Sequence, residues 1–247
     1  MLILSPRFSP DSRALDKAAA SAGWETERLH QWKIPEGLAN RNDICVHGEP
    51  LFGEFLVERL GLVLLEPQDN LLQNLPDVLR KREIKLMKYM DARQETTRKF
   101  IKPPNFKNFQ ARVYETGADL PVDDLLNPID VLVSEVVSWE VEFRCFILNG
   151  KVVDCSAYSR DGRLNLSGDE TEGEAWPASD FERSAALEFA AEAIAAVELP
   201  AAVALDVGQI AGRGWAVVEA NSAWASGLYG CDPMKILPVL RRASTKA

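Results

Sequence analysis

The sequence predicts a mixed fold, in which a small α/β unit is followed by a larger α+β region. Short apolar segments alternate with helical segments over residues 1–67, which is typical of parallel strands joined by crossovers. Further along, two alternating segments meet at Asn149-Gly150, a dipeptide that favours a two-residue hairpin turn. An Ala-rich segment over 180–197 then predicts a helix that backs a mostly antiparallel sheet.

The N-terminal unit contains four predicted strands separated by helical segments. The strands cover residues 2–5, 24–29, 43–47 and 61–67, and the helical segments begin at Pro10 and Glu49. Because this is a strand-helix-strand rhythm, we expect one small parallel sheet.

The second region begins with a predicted helix over 75–91 that carries many basic residues. Strands are predicted over 98–104, 111–114, 130–137, 202–210 and 214–224, and the hairpin covers 139–160. The rest of 105–130 and all of 161–175 are predicted as loops, and a helix over 234–242 is the last element.

Composition excludes several classes of protein. Of the 247 residues, 47% are hydrophobic and 26% charged, and no apolar run approaches the roughly 18 residues of a membrane span. The apolar start is too short for a signal peptide, so the cytoplasm is the expected compartment. A formal net charge of −9 argues against nucleic acid as a partner. The chain has 2 histidines, which disfavours a histidine-rich zinc site and a Ser-His-Asp triad.

Two adjacent predicted strands carry the strongest candidates for a metal site, which are Asp206, Glu219 and Asn221. Glu219 and Asn221 share one face, and Glu219 ends an apolar run that should be buried. A buried carboxylate needs a counter-ion. Two carboxylates and a carboxamide form an oxygen-only donor set that suits Mg²⁺ with nucleotide phosphates. The alternative is that these strand-end acids merely lie near one another.

Three further segments carry charges that would suit a phosphate site. On the first hairpin strand, Glu140, Glu142 and Arg144 share one face, and taken alone they are best explained as a solvated row with cross-strand ion pairs. Lys102 ends an apolar strand and Lys107 follows in the next loop. Either lysine could reach phosphate as a point charge, although a surface lysine is the simpler interpretation of each.

Taken in order, these segments resemble the ATP-grasp superfamily of carboxylate–amine ligases, over roughly residues 75–240. The family's Lys-Pro strand resembles FIKP (100–103), which implies that Lys102 contacts the nucleotide phosphates. Its adenine hinge resembles VLVSEVV (131–137). The implied adenine contacts are Glu135, Val136 and Val137.

The remaining motifs of the superfamily have matching positions. Its ribose-binding acid falls on Glu142, and Arg144 resembles the arginine of related amide ligases. Its metal signature, an Asp followed by Glu-x-Asn on the next strand, matches the three metal candidates with the expected interval of thirteen residues. An early phosphate-binding basic residue corresponds to either Arg82 or Lys85.

One departure narrows the resemblance to a branch of the superfamily. The glycine-rich phosphate loop is replaced by PPNFKNFQARVY (103–114), as in a compact, divergent clade with an arginine and lysine signature. Lys107 is then the second phosphate lysine. The implied fold has two α+β subdomains gripping ATP, with domains at 1–74 (N-terminal α/β), 75–134 (subdomain 1) and 135–247 (subdomain 2).

The resemblance implies an ATP- and Mg²⁺-dependent ligase that joins a carboxylate, through an acyl phosphate, to an amine. Lys102, Arg144 and Arg160 are the implied catalytic candidates, and Ser226, Gly227 and Tyr229 are candidates for the acceptor pocket or a structural turn. Small-molecule or peptide substrates are expected, and a homodimer is compatible with the resemblance. The alternatives are a small-molecule kinase and a non-catalytic nucleotide-binding protein.

Overall fold

The computed structural model describes residues 1–105, 108–164 and 176–246. Its N-terminal sheet has three parallel strands, β1 (Leu2–Leu4), β2 (Thr26–Arg28) and β3 (Cys45–His47), with β1 in the centre. Because these strands are reached by crossovers, their carboxyl ends lie at one edge of the sheet. The parallel unit predicted at the start of the chain is therefore present.

Two helices cover this sheet. α1 (Pro10–Ser21) begins with a capping box, in which the side chains and backbone N–H groups of Ser9 and Ser12 are paired. α2 (Pro50–Leu60) ends at Gly61, whose φ of 64° is the left-handed conformation of a common helix terminus. The completely buried apolar residues include Leu15 and Ala19 of α1, and Phe52 and Leu56 of α2.

The strand expected over 61–67 does not join the parallel unit, so that expectation is wrong. β4 (Leu62–Leu64) pairs antiparallel with β14 (Ser244–Lys246), which follows α7 (Pro233–Ala243). Since α7 packs against β3 and α1, it carries the last described residues to β4. The sequence Ser-Thr-Lys has no apolar alternation, which is why β14 was not expected.

The prediction of one helix over 75–91 is also wrong, because this segment forms short helices and a strand. Lys81 adopts a left-handed conformation with φ 47° and ends a short helix, so the basic residues after it lie on a strand. The observed elements are α3 (Leu71–Asn74), α4 (Asp77–Arg80), β5 (Ile84–Lys88) and α5 (Tyr89–Ala92).

A four-stranded antiparallel sheet follows, in the order β5-β8-β6-β7. Its other strands are β6 (Lys99–Lys102), β7 (Arg112–Tyr114) and β8 (Asp130–Ser134). β8 ends at Ser134, so the predicted hinge residues lie just beyond the sheet.

The largest sheet has five antiparallel strands in the order β11-β10-β9-β12-β13. At the hairpin turn, Asn149 and Gly150 have φ values of 48° and 75°, as a two-residue turn with positive φ requires. The strands are β9 (Trp139–Leu148), β10 (Lys151–Arg160), β11 (Arg163–Leu164), β12 (Ala202–Ile210) and β13 (Gly214–Ser222). From residue 165 onward, the loop expected over 161–175 lies outside the described residues.

The two faces of this sheet have different coverings. α6 (Asp180–Ala196) covers one face, and its buried alanines pack in one cluster with Phe143 and Cys145 of β9. On the opposite face, Phe146 belongs to the cluster of α7 and the N-terminal unit. Glu142 and Arg144 follow the parity of Phe146, so they share the face that is not covered by α6.

Among the described residues, no helix combines the length and the apolar character needed to span a membrane.

We expect Gly53→Ala to lower the free energy of unfolding by about 1–2 kcal/mol, because overpacking outweighs the gain in helix propensity. A Cβ atom at Gly53 would lie 2.3 Å from two ring carbons of Trp224, which is almost completely buried. Urea unfolding measures the change. Leu51→Ala, at an exposed position of the same helix, is the control and should stay within about 0.5 kcal/mol of wild type. Unchanged stability of the Gly53 variant would contradict this packing.

Candidate active site

A cleft of about 540 Å³ lies between the four-stranded and five-stranded sheets. Apolar side chains of the smaller sheet line one side, and charged and aromatic side chains of the larger sheet line the other. The lining includes Ile84, Phe100 and Leu132 on the first side, and Glu142, Arg144, Tyr158 and Glu219 on the second. A planar ring can pack between such walls while polar groups at one end hold its substituents.

The segment that connects the sheets lies at the edge of this cleft, and the predicted hinge residues Glu135, Val136 and Val137 all line it. The Glu135 N–H donates to the Glu83 carbonyl oxygen at 2.9 Å, which continues the pairing of β5 and β8 by one residue. The Glu135 carboxylate accepts a hydrogen bond from the Arg213 guanidinium at 3.0 Å, and this partner lowers its pKa. Arg213 was not singled out from the sequence, because nothing in its neighbourhood distinguishes it from a surface arginine.

Glu142 is buried on the wall of the cleft, which contradicts the interpretation of its strand face as solvated. Its carboxylate accepts hydrogen bonds from the Ser159 hydroxyl at 2.6 Å and the Tyr158 hydroxyl at 3.1 Å. Burial raises the pKa of Glu142, and these two hydrogen bonds oppose the rise. A carboxylate fixed in this way can accept hydrogen bonds from a ligand's hydroxyl groups.

Of the two candidates for the early basic residue, only Arg82 lines the cleft. Its guanidinium donates to the Val217 and Val218 carbonyl oxygens at 2.7 and 2.8 Å, and it lies 4.9 Å from the ring centre of Trp139. Burial lowers the pKa of Arg82 to about 10, so it remains cationic.

The other basic candidates differ in position. Lys85 is on β5, is largely exposed, pairs with Glu83 at 2.7 Å and lines neither cavity described here. Lys107 lies outside the described residues. Lys102 ends β6, lines the cleft and forms a short ion pair with Glu219 of the opposite sheet.

The centre of the site is a row of charged residues on neighbouring strands. Asp206 of β12 is paired in register with Arg144 on one side and Glu219 on the other. The Asp206 side chain is 0% exposed, and its two oxygens accept hydrogen bonds from Arg144 Nε at 2.9 Å and a terminal guanidinium nitrogen at 2.7 Å. Burial raises the pKa of Asp206 to about 7, and the Arg144 charge opposes that rise. Burial alone would lower the pKa of Arg144, but the Asp206 carboxylate reverses this effect and the net shift is upward.

Glu219 and Asn221 complete the row on β13. The Asn221 amide donates to Glu219 Oε1 at 2.9 Å, while Lys102 contacts the other oxygen. Burial alone would raise the pKa of Glu219, but Lys102 and Asn221 outweigh it and lower the pKa to about 2. The structure thus brings together the three metal candidates, and two cations compensate the buried acids.

Two tyrosines enclose Arg144. Its guanidinium carbon lies 4.7 Å from the ring centre of Tyr229 and 5.5 Å from that of Tyr158, and the two rings stack at 5.0 Å. The guanidinium also donates to the Gly227 carbonyl oxygen at 3.1 Å. Tyr158 was missed in the sequence, because no motif surrounds it on its own strand. Its role follows only from the pairing of β10 with β9.

A second cavity, of about 1090 Å³, lies between the N-terminal unit and the end of the five-stranded sheet. Arg144, Glu219 and Tyr229 line both cavities, so the two spaces meet at the charged row. Ser226 and Gly227, the sequence candidates for an acceptor pocket, also line the second cavity.

The catalytic candidate Arg160 lies elsewhere. Its guanidinium pairs with Glu182 near the start of α6 at 2.9 Å and donates to the Pro177 carbonyl oxygen at 3.0 Å. It lines neither cavity, so the structure does not bring Arg160 to the other candidates.

The oxygen donors of the charged row fit Mg²⁺ in part. Within the described residues, no three His, Cys, Asp or Glu side chains form a ready-made metal cluster. Glu219 and Asn221 supply a carboxylate and an amide, which is enough for an ion that also takes phosphate oxygens and water. Asp206 differs from them because both of its oxygens are already occupied by Arg144.

Two antiparallel sheets that close over a cleft from opposite sides are the hallmark of ATP-grasp proteins, and this chain is of that class. It belongs to one branch of the class. The model of an ATP-grasp domain family, the second family of the clade named for its arginine and lysine residues, matches residues 79–239. The resemblance to a divergent clade of the superfamily is thereby confirmed.

Solved structures share the fold across nearly the whole chain. D-cycloserine synthetase DcsG is 14% identical, with 97% of this chain and 98% of that chain covered and a TM-score of 0.57. An ATP-grasp RimK domain protein from Sphaerobacter thermophilus DSM 20745 is also 14% identical, with coverages of 98% and 97% and a TM-score of 0.54. D-alanine–D-alanine ligase from Bacillus anthracis complexed with ATP is 12% identical, with coverages of 98% and 95% and a TM-score of 0.51. A comparison with curated proteins finds no match. The family match and the shared fold together identify the chain as an ATP-grasp protein.

We expect Lys102→Met to make stability fall between pH 5 and pH 8 in metal-free buffer. In the wild type, the pKa of Glu219 is lowered. Its contribution to the free energy of unfolding is therefore complete above its ordinary pKa of 4.5 and is lost as pH falls towards 2. Without Lys102, we expect burial to outweigh the remaining effects of Asn221 and Arg144, so that the pKa of Glu219 rises above its ordinary value and stability is lost as pH rises through the new value. The expected loss is about 1–3 kcal/mol at pH 8.

Urea unfolding at several pH values, with EDTA present, measures this effect. The double variant Lys102→Met/Glu219→Gln is the control, because it has no carboxylate to titrate at position 219. Parallel pH profiles for the single variant and the wild type would show that the two charges are not coupled.

Proposed function

We propose that the protein is an ATP- and Mg²⁺-dependent ligase that joins a carboxylate to an amine and releases ADP and phosphate. The observation that carries this proposal is the meeting of two cavities at one charged row. A reaction that transfers a phosphoryl group from a nucleotide to a second substrate needs two binding spaces with a shared boundary. Arg144 and Glu219 lie at that boundary.

In this proposal the nucleotide occupies the cleft between the sheets. Its adenine lies beside Val136 and Val137, whose backbone groups form hydrogen bonds with the edge of the ring. Glu142 accepts hydrogen bonds from the ribose hydroxyl groups. Glu135 acts through its backbone carbonyl oxygen, because its N–H already donates to Glu83 and Arg213 already binds its carboxylate. The phosphates extend towards Lys102 and Arg82, at the end of the cleft that opens into the second cavity.

Lys102 has a partner that it must exchange when phosphate binds. Its ammonium pairs with Glu219 across the cleft, and a phosphate group would compete for the same charge. Glu219 and Asn221 are then the residues that would hold Mg²⁺. When bound, the ion neutralises phosphate oxygens and positions the transferred group. Asp206, which completes the predicted metal set, would reach the ion only by releasing a hydrogen bond from Arg144.

The chemistry needs no protein nucleophile. A substrate carboxylate oxygen attacks the γ-phosphorus, and the bond from this phosphorus to the bridging oxygen breaks. The products of this step are ADP and an acyl phosphate. The neutral amine of the second substrate then attacks the acyl carbon, and phosphate departs as the nitrogen loses its proton to solvent. Arg144 faces the shared boundary as a fixed cation, which can stabilise the oxyanion on the acyl carbon. Arg160 has no part in this proposal, because Glu182 holds it outside both cavities.

We propose amino acids or peptides as the substrates, and several proteins of similar fold support this choice. They include D-cycloserine synthetase and D-alanine–D-alanine ligase complexed with ATP. ATP-grasp ligase PsnB complexed with precursor peptide PsnA2 and AMPPNP is 13% identical, with coverages of 98% and 96% and a TM-score of 0.50. The second cavity is large enough for either kind of substrate.

Lys102→Met should weaken the binding of Mg²⁺-AMPPNP by about 10- to 100-fold, because a charged group that would contact phosphate is removed. Lys85→Met is the matched control, since it removes the same charge from the same sheet but outside both cavities. Isothermal titration calorimetry measures both. Equal affinities for the two variants would overturn the phosphate position.

The ligase reaction predicts that hydroxylamine traps an acyl hydroxamate when the protein is given ATP, Mg²⁺ and a pool of amino acids or short peptides. ADP release should require a carboxylate and should rise when an amine is added. A phosphorylated alcohol with no hydroxamate would instead identify a kinase. Tight nucleotide binding without ADP release across the pools would favour a non-catalytic binding protein.

A further inference from the structure

We propose that the substrate held in the second cavity carries an aliphatic cation, an alkylammonium group, in addition to the group that reacts. This inference rests on the proposed ligase function and specifies its substrate. It follows from the charges on the cavity wall and from a nearly buried histidine ring that has no hydrogen-bond partner among the described residues.

The lining of the second cavity remains strongly acidic when the residues that already form ion pairs are left out of the charge count. Its two lining arginines are already engaged, since Arg144 is neutralised by Asp206 and Arg7 lies 3.9 Å from Glu49. Glu54, Glu58 and Glu66 remain at the outer part of the lining. None of these three has an ion-pair partner in the described part of the chain.

Two of the three carboxylates, Glu54 and Glu66, also repel one another's charge. Burial raises the pKa of Glu66, and the neighbouring charges of Asp69 and Glu54 raise it further. A cation placed among them would relieve this repulsion, and the walls of a cavity strengthen the local potential. No described lysine or arginine fills that position.

The second observation is independent of charge. His47, at the carboxyl end of β3, lines the cavity and is only 8% exposed, yet its ring has no hydrogen-bond partner among the described residues. Polar side chains that are almost completely buried are nearly always hydrogen-bonded in native proteins, so this unpaired ring on the cavity wall points to a ligand.

The state of His47 favours a donor on that ligand. Complete burial lowers the pKa of His47 to about 4, so the ring is neutral near pH 7 and one nitrogen can accept a hydrogen bond. An ammonium or amine N–H can supply it. A further carboxylate, Asp11, also lines the cavity and accepts a hydrogen bond from the Leu228 N–H at 2.9 Å.

The cavity therefore offers acceptors and negative charge from its inner wall to its rim. A substrate with a single charged group would leave the outer carboxylates uncompensated. An elongated molecule with an ammonium group at its far end would satisfy them. A free diamine and the side chain of a basic amino acid share this chemistry.

The test compares matched probes in the presence of saturating Mg²⁺-AMPPNP at low salt. One pair is 1,5-diaminopentane and 1-aminopentane, and the other is lysine and norleucine. In each pair the members differ by the distal amino group. We expect the member with the distal amino group in at least one pair to bind about tenfold more tightly by calorimetry. The pair that shows the preference identifies a free amine or an amino acid.

The triple variant Glu54→Gln/Glu58→Gln/Glu66→Gln should lose that preference while it retains nucleotide affinity. Glu188→Gln/Glu192→Gln/Glu198→Gln is the matched control, since it removes the same number of charges from exposed positions outside both cavities. Equal binding of the two members in both pairs, or equal loss in both triple variants, would overturn the proposal. Failure of the wild type to bind Mg²⁺-AMPPNP would instead overturn the proposed function, so the two failures are distinguishable.

Discussion

The bidentate ion pair between Arg144 and Asp206 is the constraint on which the rest of the site depends. Both residues lie on central strands of the largest sheet and both are almost completely buried. A buried pair gives little net stability, but loss of one partner leaves an uncompensated charge and costs several kcal/mol, on the order of 3–5. The pair therefore fixes the register of β9 against β12, and with it the positions of Glu142 and Glu219 on either side.

A second ion pair links this sheet to the other wall of the cleft. Lys102 and Glu219 belong to different sheets, so their contact joins the two walls of the cleft at one end. Each charge satisfies the other and remains close to where it is needed. In the proposed function, a nucleotide phosphate would replace Glu219 as the partner of Lys102. The lysine would then always have a counter-ion, which limits the free-energy cost of removing its charge from water.

Much of this site could be predicted from the order of motifs. The shared face of Glu219 and Asn221 followed from strand parity, and Asp206 followed from its place on the adjacent predicted strand. Lys102 followed from the resemblance of its strand to one that ends in Lys-Pro. The strand that carries Lys85 could not be predicted. The spacing of the apolar residues before it fits one long helix, and it fits equally well the observed succession of a short helix, a turn and a strand. Arg160 was placed by the hairpin, but its partner Glu182 comes from a helix whose approach the sequence does not specify.

The pairing of β4 with β14 has a consequence for how the chain acquires its structure during synthesis. The N-terminal unit shares its apolar cluster with α7, and one of its early strands has its partner at residues 244–246. Contacts between such distant segments form late and slow the search for the native state. On the ribosome, residues 62–64 would have to wait until residues 244–246 have emerged, so the second cavity would be assembled only after the segment that contains β14 has been synthesised.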